Sequence, residues 1–105
     1  MTTTGSIKTR RRPFGSGKPV SLFTLGTMRA LHSPGQLEAV VEAAIAAGIN
    51  HLETAPAYGP AQRYLGQAIR RLGLSREQLV ITSKVLPNQS LASAQDDVRR
   101  SLEQL

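Results

Sequence analysis

The hydrophobic positions of this chain switch between two spacings along its length. Short apolar runs occupy residues 20–26 (VSLFTLG), 49–54 (INHLET) and 78–85 (QLVITSKV), with Gly or Pro close to their ends. Runs of this length between turn residues are typical of buried strands, and the third run is rich in β-branched residues. The pattern therefore predicts three strands.

The segment after the first run has helical spacing and a signal at each end. Ser33 can cap the helix, Pro34 suits its first position, and Gln36 completes a capping box. Gly48 is a natural C-terminal stop. Five apolar residues at helical spacing predict the buried face: Leu37, Val40, Val41, Ala44 and Ile45.

Two more helices are predicted after the second and third runs. One is expected between Pro60 and Gly73, and the other is expected to start near Ser90. Between them, residues 75–78 (SREQ) offer a local cap and a turn. The predicted apolar faces are Leu65, Ala68, Ile69 and Leu72 in the one, and Leu91, Ala94, Val98, Leu102 and Leu105 in the other.

Strand and helix thus alternate three times, which implies parallel strands joined by right-handed crossovers. An open nucleotide-binding sheet would need closely spaced glycines after its first strand, and Gly26 and Gly35 are too far apart. We therefore predict an α/β fold of the parallel (β/α)8 TIM-barrel type. Because such a barrel takes roughly 250 residues, residues 20–105 are expected to form only its first three βα units. Residues 1–19 are expected to form a basic tail and an N-terminal turn or hairpin.

The net charge of +6 is concentrated at the N-terminus, where Lys8, Arg10, Arg11 and Arg12 precede every acidic residue. Such a tail can contact nucleic acid or a membrane surface, but a solvated extension is the simpler interpretation. The absence of Cys excludes disulfides and thiolate metal sites within these residues and fits a cytoplasmic protein. We predict no metal site and, since no apolar run approaches ~20 residues, no membrane span.

Three polar side chains fall at the carboxyl ends of predicted strands, where barrels of this type carry their active sites. Glu53 ends the second strand, Tyr58 lies in the loop after it, and Lys84 ends the third strand. Adjacent strands are ~4.8 Å apart, so we expect these side chains to meet. Each also has a purely structural interpretation. Glu53 can brace the loop, Tyr58 can pack its ring beneath it, and Lys84 can extend to water.

Together, the three groups are suited to proton transfer. A free phenol has a pKa of about 10, too high for easy proton transfer at neutral pH. A nearby ammonium stabilises the phenolate and lowers that pKa, and a carboxylate keeps the ammonium charged and oriented. A phenol in this setting can protonate a carbonyl oxygen while a nicotinamide cofactor delivers hydride to the carbonyl carbon.

Four stretches carry a resemblance to a known family. VSLFTLGTM, AAGINHLETAPAYG, YLGQAI and LVITSKV occur in order between residues 20 and 85, and they resemble the N-terminal part of the aldo-keto reductases. The resemblance implies a (β/α)8 barrel, NADPH or NADH as cofactor, and reduction of small aldehydes and ketones.

Residue by residue, the resemblance implies that Tyr58 is the proton donor and that Lys84 assists it. Glu53 stands where the family has Asp, which is similar to a bacterial subgroup with Glu. Glu keeps the charge but is one methylene longer. The candidate cofactor-binding residues, from a segment that lies near the nicotinamide in the family, are Gly26, Thr27 and Met28.

Two further departures from the family pattern are present. Ala61 and Gln62 stand where the family often has Ser-Glu, which we interpret as a helix-start change with little bearing on the chemistry. The family's catalytic His follows a later strand, and neither His32 nor His51 matches it. We therefore predict that a polypeptide of these 105 residues is inactive by itself. Gly26 can also be read as a plain strand-ending glycine.

Two other functions stay open. One is a non-catalytic half-barrel that self-associates through the exposed edges of its outer strands. The other is a small basic nucleic-acid-binding protein, supported only by KTRRR at residues 8–12. The chain has no nucleic-acid-binding motif and only four aromatic residues, so we expect no nucleic-acid partner.

Overall fold

The computed structural model describes residues 8–30 and 32–105, in which strands and helices alternate from residue 24 onward. The strands are β1 (Arg11–Arg12), β2 (Val20–Ser21), β3 (Thr24–Gly26), β4 (His51–Glu53) and β5 (Val80–Thr82). The helices are α1 (Pro34–Ala46), α2 (Ala61–Arg71) and α3 (Leu91–Gln104), with a 3-10 turn at Arg76–Gln78.

The central sheet consists of three parallel strands in the order β3-β4-β5. Helix α1 connects β3 to β4, and α2 connects β4 to β5, so both connections are crossovers that place the strand ends on one edge. The register aligns Gly26, Glu53 and Thr82 across the sheet. The end of the middle strand, where Glu53 stands, is therefore flanked by the ends of both neighbours.

The predicted first strand at residues 20–26 is divided into two strands, so the prediction of one continuous strand is wrong. β2 pairs antiparallel with β1, whereas β3 joins the central sheet. Ser21 explains the division. Its hydroxyl donates to the Phe23 carbonyl oxygen at 2.5 Å, and its amide donates to Asn50 Oδ1 at 2.7 Å. The chain turns there and leaves Leu22 and Phe23 exposed.

The N-terminal hairpin formed by β1 and β2 extends past the expected boundary at residue 19. The described part of the expected tail is attached to the rest of the fold. The Thr9 amide donates to the Ala47 carbonyl oxygen at 2.8 Å, and the Leu22 amide donates to that of Arg10 at 2.9 Å. The remainder of the predicted tail, residues 1–7, lies outside the described residues.

Helices α1 and α2 end where local signals predict. Ser33 caps α1 by accepting a hydrogen bond from the Gln36 amide at 3.2 Å. After the helices, Gly48 has φ 87° and Gly73 has φ 65°, values that glycine adopts at little cost. A capping box consists of two reciprocal hydrogen bonds, and both are present at residues 75–78. They confirm the predicted local cap there.

The hydrophobic core lies between the sheet and helices α1 and α2. Leu52 of β4 is fully buried in it. Because side chains alternate along a strand, His51 and Glu53 lie on the opposite face of the sheet from Leu52. The buried residues of the core cluster are Leu37, Val41, Leu52, Leu65, Ala68, Ile69 and Leu79.

The predicted helical faces are only partly buried. Val40 of α1 is exposed, and no residue of α3 is buried. On α3 the apolar residues Leu91, Val98 and Leu102 face solvent, because its packing within the described residues is against α2 along one side. The periodicity therefore predicts α3 correctly, whereas the expected burial of Val40 on α1 is wrong.

Within residues 8–30 and 32–105, no helix combines the length and the apolar character that crossing a lipid bilayer requires.

Candidate active site

Glu53, Tyr58 and Lys84 meet at the carboxyl edge of the central sheet and form a closed set of hydrogen bonds. The Lys84 ammonium donates to Glu53 Oε2, with which it forms an ion pair, and to Tyr58 Oη at 2.5 Å. The Tyr58 hydroxyl donates to Glu53 Oε2 at 3.1 Å. Each group thus contacts both of the others.

The ammonium of Lys84 is stabilised by this arrangement. Its hydrogen bond with Glu53, followed in size by that with Tyr58, raises the pKa of Lys84 above the usual 10.5. The ammonium also lies 4.4 Å from the centre of the Tyr58 ring, within the range of a cation–π contact. Lys84 is therefore a stable positive charge beside the phenol oxygen across the physiological pH range.

The cluster is open to solvent. The side chains of Lys84 and Glu53 are 42% and 25% exposed. Gly26 lies beside Glu53 in the register and is exposed, and a Cβ built there would be in ordinary van der Waals contact with Glu53 Oε1, at 3.6 Å. The end of β3 therefore offers an uncovered backbone next to the carboxylate, where a ligand can approach closely.

The predicted cofactor-binding residues differ from one another in their surroundings. Gly26 is exposed at the end of β3, and Met28 is 52% exposed in the loop that follows. Thr27 is buried, and its hydroxyl donates to Thr54 Oγ1 at 2.8 Å. The Thr27 side chain therefore joins the loops after β3 and β4, and a ligand at this edge would contact its backbone rather than its hydroxyl.

His51 precedes Glu53 by two residues on β4, so its side chain lies on the same face of the sheet. Its Nδ1 is hydrogen-bonded to Thr24 Oγ1 at 3.0 Å, and its Nε2 to Thr82 Oγ1 at 2.8 Å. The imidazole therefore links all three strands of the sheet beneath Glu53. His32, in contrast, is exposed in the loop before α1.

Sequence reasoning missed the importance of Gln62. This side chain is 2% exposed, accepts a hydrogen bond from the Ser83 hydroxyl at 2.5 Å, and donates to Ser101 Oγ and Gln104 Oε1, both at 2.9 Å. Because Ser83 precedes Lys84, Gln62 fixes the segment that carries the ammonium. The available signal is the departure from the family's Ser-Glu at Ala61 and Gln62, and its interpretation as a helix-start change with little bearing on the chemistry overlooks these contacts.

Among the described residues, no group of three or more His, Asp or Glu side chains is arranged to bind a metal ion.

Comparison with known proteins decides the family. The model of the aldo/keto reductase family matches residues 23–105, which contain the whole parallel sheet and the cluster. The chain belongs to the aldo/keto reductase family. Its three βα units are accordingly of the (β/α)8 barrel type, as predicted.

Relatives with curated descriptions agree with this assignment. The chain is 38% identical over 74 residues to an aldo-keto reductase of Mycolicibacterium smegmatis, covering 70% of this chain and 26% of that protein. It is 35% identical over 78 residues to aldo-keto reductase family 1 member A1 of Xenopus tropicalis, covering 70% and 23%. The chain thus spans about a quarter of the length of these relatives.

A solved structure assigned to the aldo-keto reductases, from Pseudomonas aeruginosa, superposes with a TM-score of 0.84 and 32% identity. The superposition covers all of this chain and 45% of the other. The strand order and crossovers described above are therefore those of a known reductase fold.

Proposed function

We propose that this chain supplies the proton-donating part of an NADPH- or NADH-dependent oxidoreductase that reduces small aldehydes or ketones. Family membership supports this activity for the whole barrel. The observation that carries the proposal is the closed set of hydrogen bonds among Glu53, Tyr58 and Lys84 at the edge where barrels bind substrates. An oriented phenol beside an ammonium that is charged at neutral pH suits proton transfer to a carbonyl oxygen.

In this proposal Tyr58 is the catalytic acid. Its hydroxyl hydrogen-bonds the carbonyl oxygen of the substrate and passes its proton to that oxygen as negative charge develops there. The Lys84 ammonium, 2.5 Å from the phenol oxygen, stabilises the tyrosinate that remains. Glu53 holds Lys84 through their ion pair, so that the ammonium stays beside the phenol.

The residues at the end of β3 fit a nicotinamide in this position. Gly26 leaves open space beside Glu53, and the loop through Thr27 and Met28 is fixed from within by the Thr27–Thr54 bond. We propose that the backbone of Gly26 and Thr27 and the exposed side chain of Met28 line the nicotinamide site. When bound, the reduced nicotinamide supplies the hydride.

We also propose that an isolated polypeptide of these 105 residues does not catalyse this reduction. About a quarter of the length of the curated relatives is present, and three strands form one face of a barrel rather than an enclosed site. Cytoplasmic localisation is proposed from the absence of Cys alone.

The experiment that tests the function is a chimaera in which residues 20–105 replace the matching segment of the Mycolicibacterium smegmatis relative. We expect the chimaera to oxidise NADPH or NADH in the presence of an aromatic or aliphatic aldehyde. Tyr58→Phe should lower kcat about 10²–10⁴-fold, the usual contribution of a general acid. Tyr64→Phe is the matched control, since Tyr64 packs against the core away from the cluster, and it should leave kcat within about twofold.

If a folded chimaera binds the dinucleotide and its kcat is unchanged by Tyr58→Phe, the proposed role of Tyr58 is contradicted. Reduction of an aldehyde by the purified 105-residue chain would contradict the proposed inactivity of that chain.

A second candidate is self-association without catalysis. Two neighbouring features favour it. The apolar side of α3 is exposed, and the adjacent strand β5 has no strand partner on its outer edge within the described residues. Light scattering on the purified chain tests it, because a monodisperse dimer with cooperative unfolding would support this alternative and a monomer would contradict it.

A further inference from the structure

Gln62 connects three elements of the fold, and one of them carries Lys84. Its Oε1 accepts a hydrogen bond from the Ser83 hydroxyl at 2.5 Å. Its Nε2 donates to Ser101 Oγ and Gln104 Oε1, both at 2.9 Å. Because Gln62 is buried, water has little access to replace a lost bond. Helix α2, the segment after β5 and the last turn of α3 therefore meet at one buried amide.

The last turn of α3 is docked on the same side of α2 that carries Gln62. Gln62, Gly66 and Arg70 are spaced four residues apart, so they lie along one side of the helix. A Cβ at Gly66 would overlap the Gln104 carbonyl oxygen, so the absence of a side chain allows the two backbones to approach closely. Arg70 Nη1 donates to the same carbonyl oxygen at 3.2 Å. Three positions of α2 thus contact one turn of α3, and this contact orients the Gln62 amide.

The sheet does not extend as far as Lys84. β5 ends at Thr82, where the Thr54 amide donates to the Thr82 carbonyl oxygen at 2.9 Å. Lys84 lies two residues further on, and its ammonium stands at the end of a long, flexible side chain. The ammonium keeps its hydrogen bonds only if the backbone that carries it is in place. The bond from Ser83 to Gln62 acts at this point, one residue from Lys84.

We propose that Gln62 is a positioning residue, which fixes Lys84 beside the phenol oxygen of Tyr58 by holding Ser83, and that the last turn of α3 holds Gln62 in this role. A change in the docking of α3 would accordingly displace Lys84, although α3 supplies no side chain to the cluster. This inference rests on the proposed function for its catalytic consequence. The position of Lys84, in contrast, is measurable without any reaction.

The Tyr58 ring provides a reporter of that position. The Lys84 ammonium lies 4.4 Å from the centre of the ring, so the neighbouring Cε protons lie within reach of the ring current and resonate away from those of an unpacked lysine. The chain has only two other lysines, Lys8 and Lys18, which are internal references. Lys18 is held elsewhere, by the Leu79 carbonyl oxygen at 3.1 Å. NMR of the lysine-labelled chain at neutral pH therefore follows Lys84 directly.

The first variant removes every hydrogen bond of the amide. Gln62→Met keeps a side chain of similar volume, so it leaves the packing largely intact. We expect the Lys84 Cε protons to lose most of their ring-current shift and to move towards the resonances of Lys8. Gln67→Met is the matched control, because Gln67 lies on another side of α2, beside Glu38 of α1. It should leave the Lys84 resonances in place.

Two smaller substitutions separate the two sides of Gln62. Ser83→Ala removes the bond towards Lys84 and should reproduce the loss of shift seen in Gln62→Met. Ser101→Ala removes one of the two bonds to α3 and should cause a smaller change, because Gln104 Oε1 still accepts from Gln62. Since Gln62 and Ser83 act through one bond, the double variant should lose no more of the shift than either single variant.

The chimaera measures the catalytic consequence. Gln62→Met should lower kcat by about 10- to 10²-fold, the cost of a misplacement of up to about 1 Å. The KM for the dinucleotide should stay within about twofold, because the end of β3 is unaltered. Gln67→Met should leave both constants unchanged.

Unchanged Lys84 resonances in a folded Gln62→Met protein overturn the proposal, even if its stability falls, because Gln62 would then be purely structural. If Gln62→Met does not fold, Ser83→Ala decides, and Lys84 resonances that stay in place overturn the proposal. If the resonances move as expected but the unsubstituted chimaera is inactive, the proposed function fails and the positioning of Lys84 by Gln62 stands. An active chimaera that keeps its kcat in Gln62→Met contradicts the role of Gln62 in the reaction.

Discussion

Helices α2 and α3 carry the same kind of apolar stripe, and only α2 buries it. Leu65 in α2 is fully buried, whereas Leu102 in α3 is 77% exposed. Helix α2 packs against α1 and covers the sheet, so its stripe has partners on two sides. Helix α3 meets α2 mainly through the polar Gln62 and the bare backbone at Gly66. Periodicity therefore predicts which face is apolar, while neighbouring elements decide whether it is buried.

The uncovered stripe of α3 lines a cleft of about 460 Å³ between this helix and β5. Ile81 and Val85 form one wall, and Val98, Leu102 and Leu105 form the other. Because the adjacent edge of β5 has no partner among the described residues, this side of the fold contrasts with the closed α1–α2 side. The stability of the chain should be correspondingly uneven.

The largest expected effect on stability distinguishes the buried apolar stripe of α2 from the exposed stripe of α3. Leu65→Ala should lower the free energy of unfolding by about 2–5 kcal/mol, because it leaves a cavity in the core. Leu102→Ala makes the same chemical change on the exposed stripe and should alter stability by no more than about 0.5 kcal/mol. Urea unfolding measures both. Comparable losses in the two variants would show that α3 is covered in solution, for instance by a second copy of the chain.

Gly66 tests the contact between α2 and α3. A Cβ at this position would collide with the backbone of Gln104, so Gly66→Ala should cost about 1–3 kcal/mol and raise amide exchange along α3. The matched control is Gly35→Ala in α1, where the nearest atom to a Cβ is Ser33 Oγ at 3.8 Å. That substitution should stabilise by roughly 0.5 kcal/mol. A neutral Gly66→Ala variant would mean that α3 does not dock as described.

The helix caps provide a smaller and more local comparison. Ser33 caps α1 and Ser90 caps α3, with hydrogen bonds of 3.2 Å and 3.1 Å to the amides of Gln36 and Ser93. Replacing either serine by Ala should cost about 1 kcal/mol of helix stability. We expect Ser33→Ala to lower the global unfolding midpoint in urea, and Ser90→Ala to show mainly as faster amide exchange in α3. Equal shifts of the global midpoint would indicate that the two helices unfold together.

The smallest effects concern charge pairs. Glu53→Gln should lower the pKa of Lys84 towards 10.5, and Tyr58→Phe should lower it less, because the bond to Glu53 is the larger cause of the raised value. NMR titration of the Cε resonances follows this directly, since the chain has only three lysines, the others being Lys8 and Lys18. A pKa of Lys84 that is unchanged in Glu53→Gln would contradict the ion pair.

The raised pKa of Lys84 also has a consequence for stability. Its contribution is fully present below pH 10.5, the value in the unfolded chain, and is lost as the pH rises through the higher folded value. The urea concentration at the midpoint of unfolding should therefore fall more steeply above pH 10.5 in the unsubstituted protein than in the Glu53→Gln variant. The control is Asp96→Asn, which removes the exposed i,i+3 pair with Arg99 in α3 and should change stability by less than about 0.5 kcal/mol.

Much of the fold could be predicted because the relevant signals are local. The Ser33 cap acts within one helical turn, and Gly48 acts through its own backbone angle. The meeting of Glu53 and Lys84 also followed from a simple rule, that parallel strands end on the same edge. The errors lie where a residue responds to distant atoms. Ser21 breaks the first strand through Asn50, and Gln62 is buried by residues of α3.

Neighbours within a few positions set the alternation of strands and helices from residue 24 onward, the helix ends at caps and glycines, and the polar residues at the strand ends, so the amino-acid sequence predicts these features. Three other features depend on packing between distant segments: Tyr58 donates to Glu53 as well as accepting from Lys84, Thr27 is directed inward, and the stripe of α3 is uncovered. Hydrogen bonds of this kind require distances set to within a few tenths of an ångström by packing. Burial, likewise, is a property of the surrounding elements rather than of the residue.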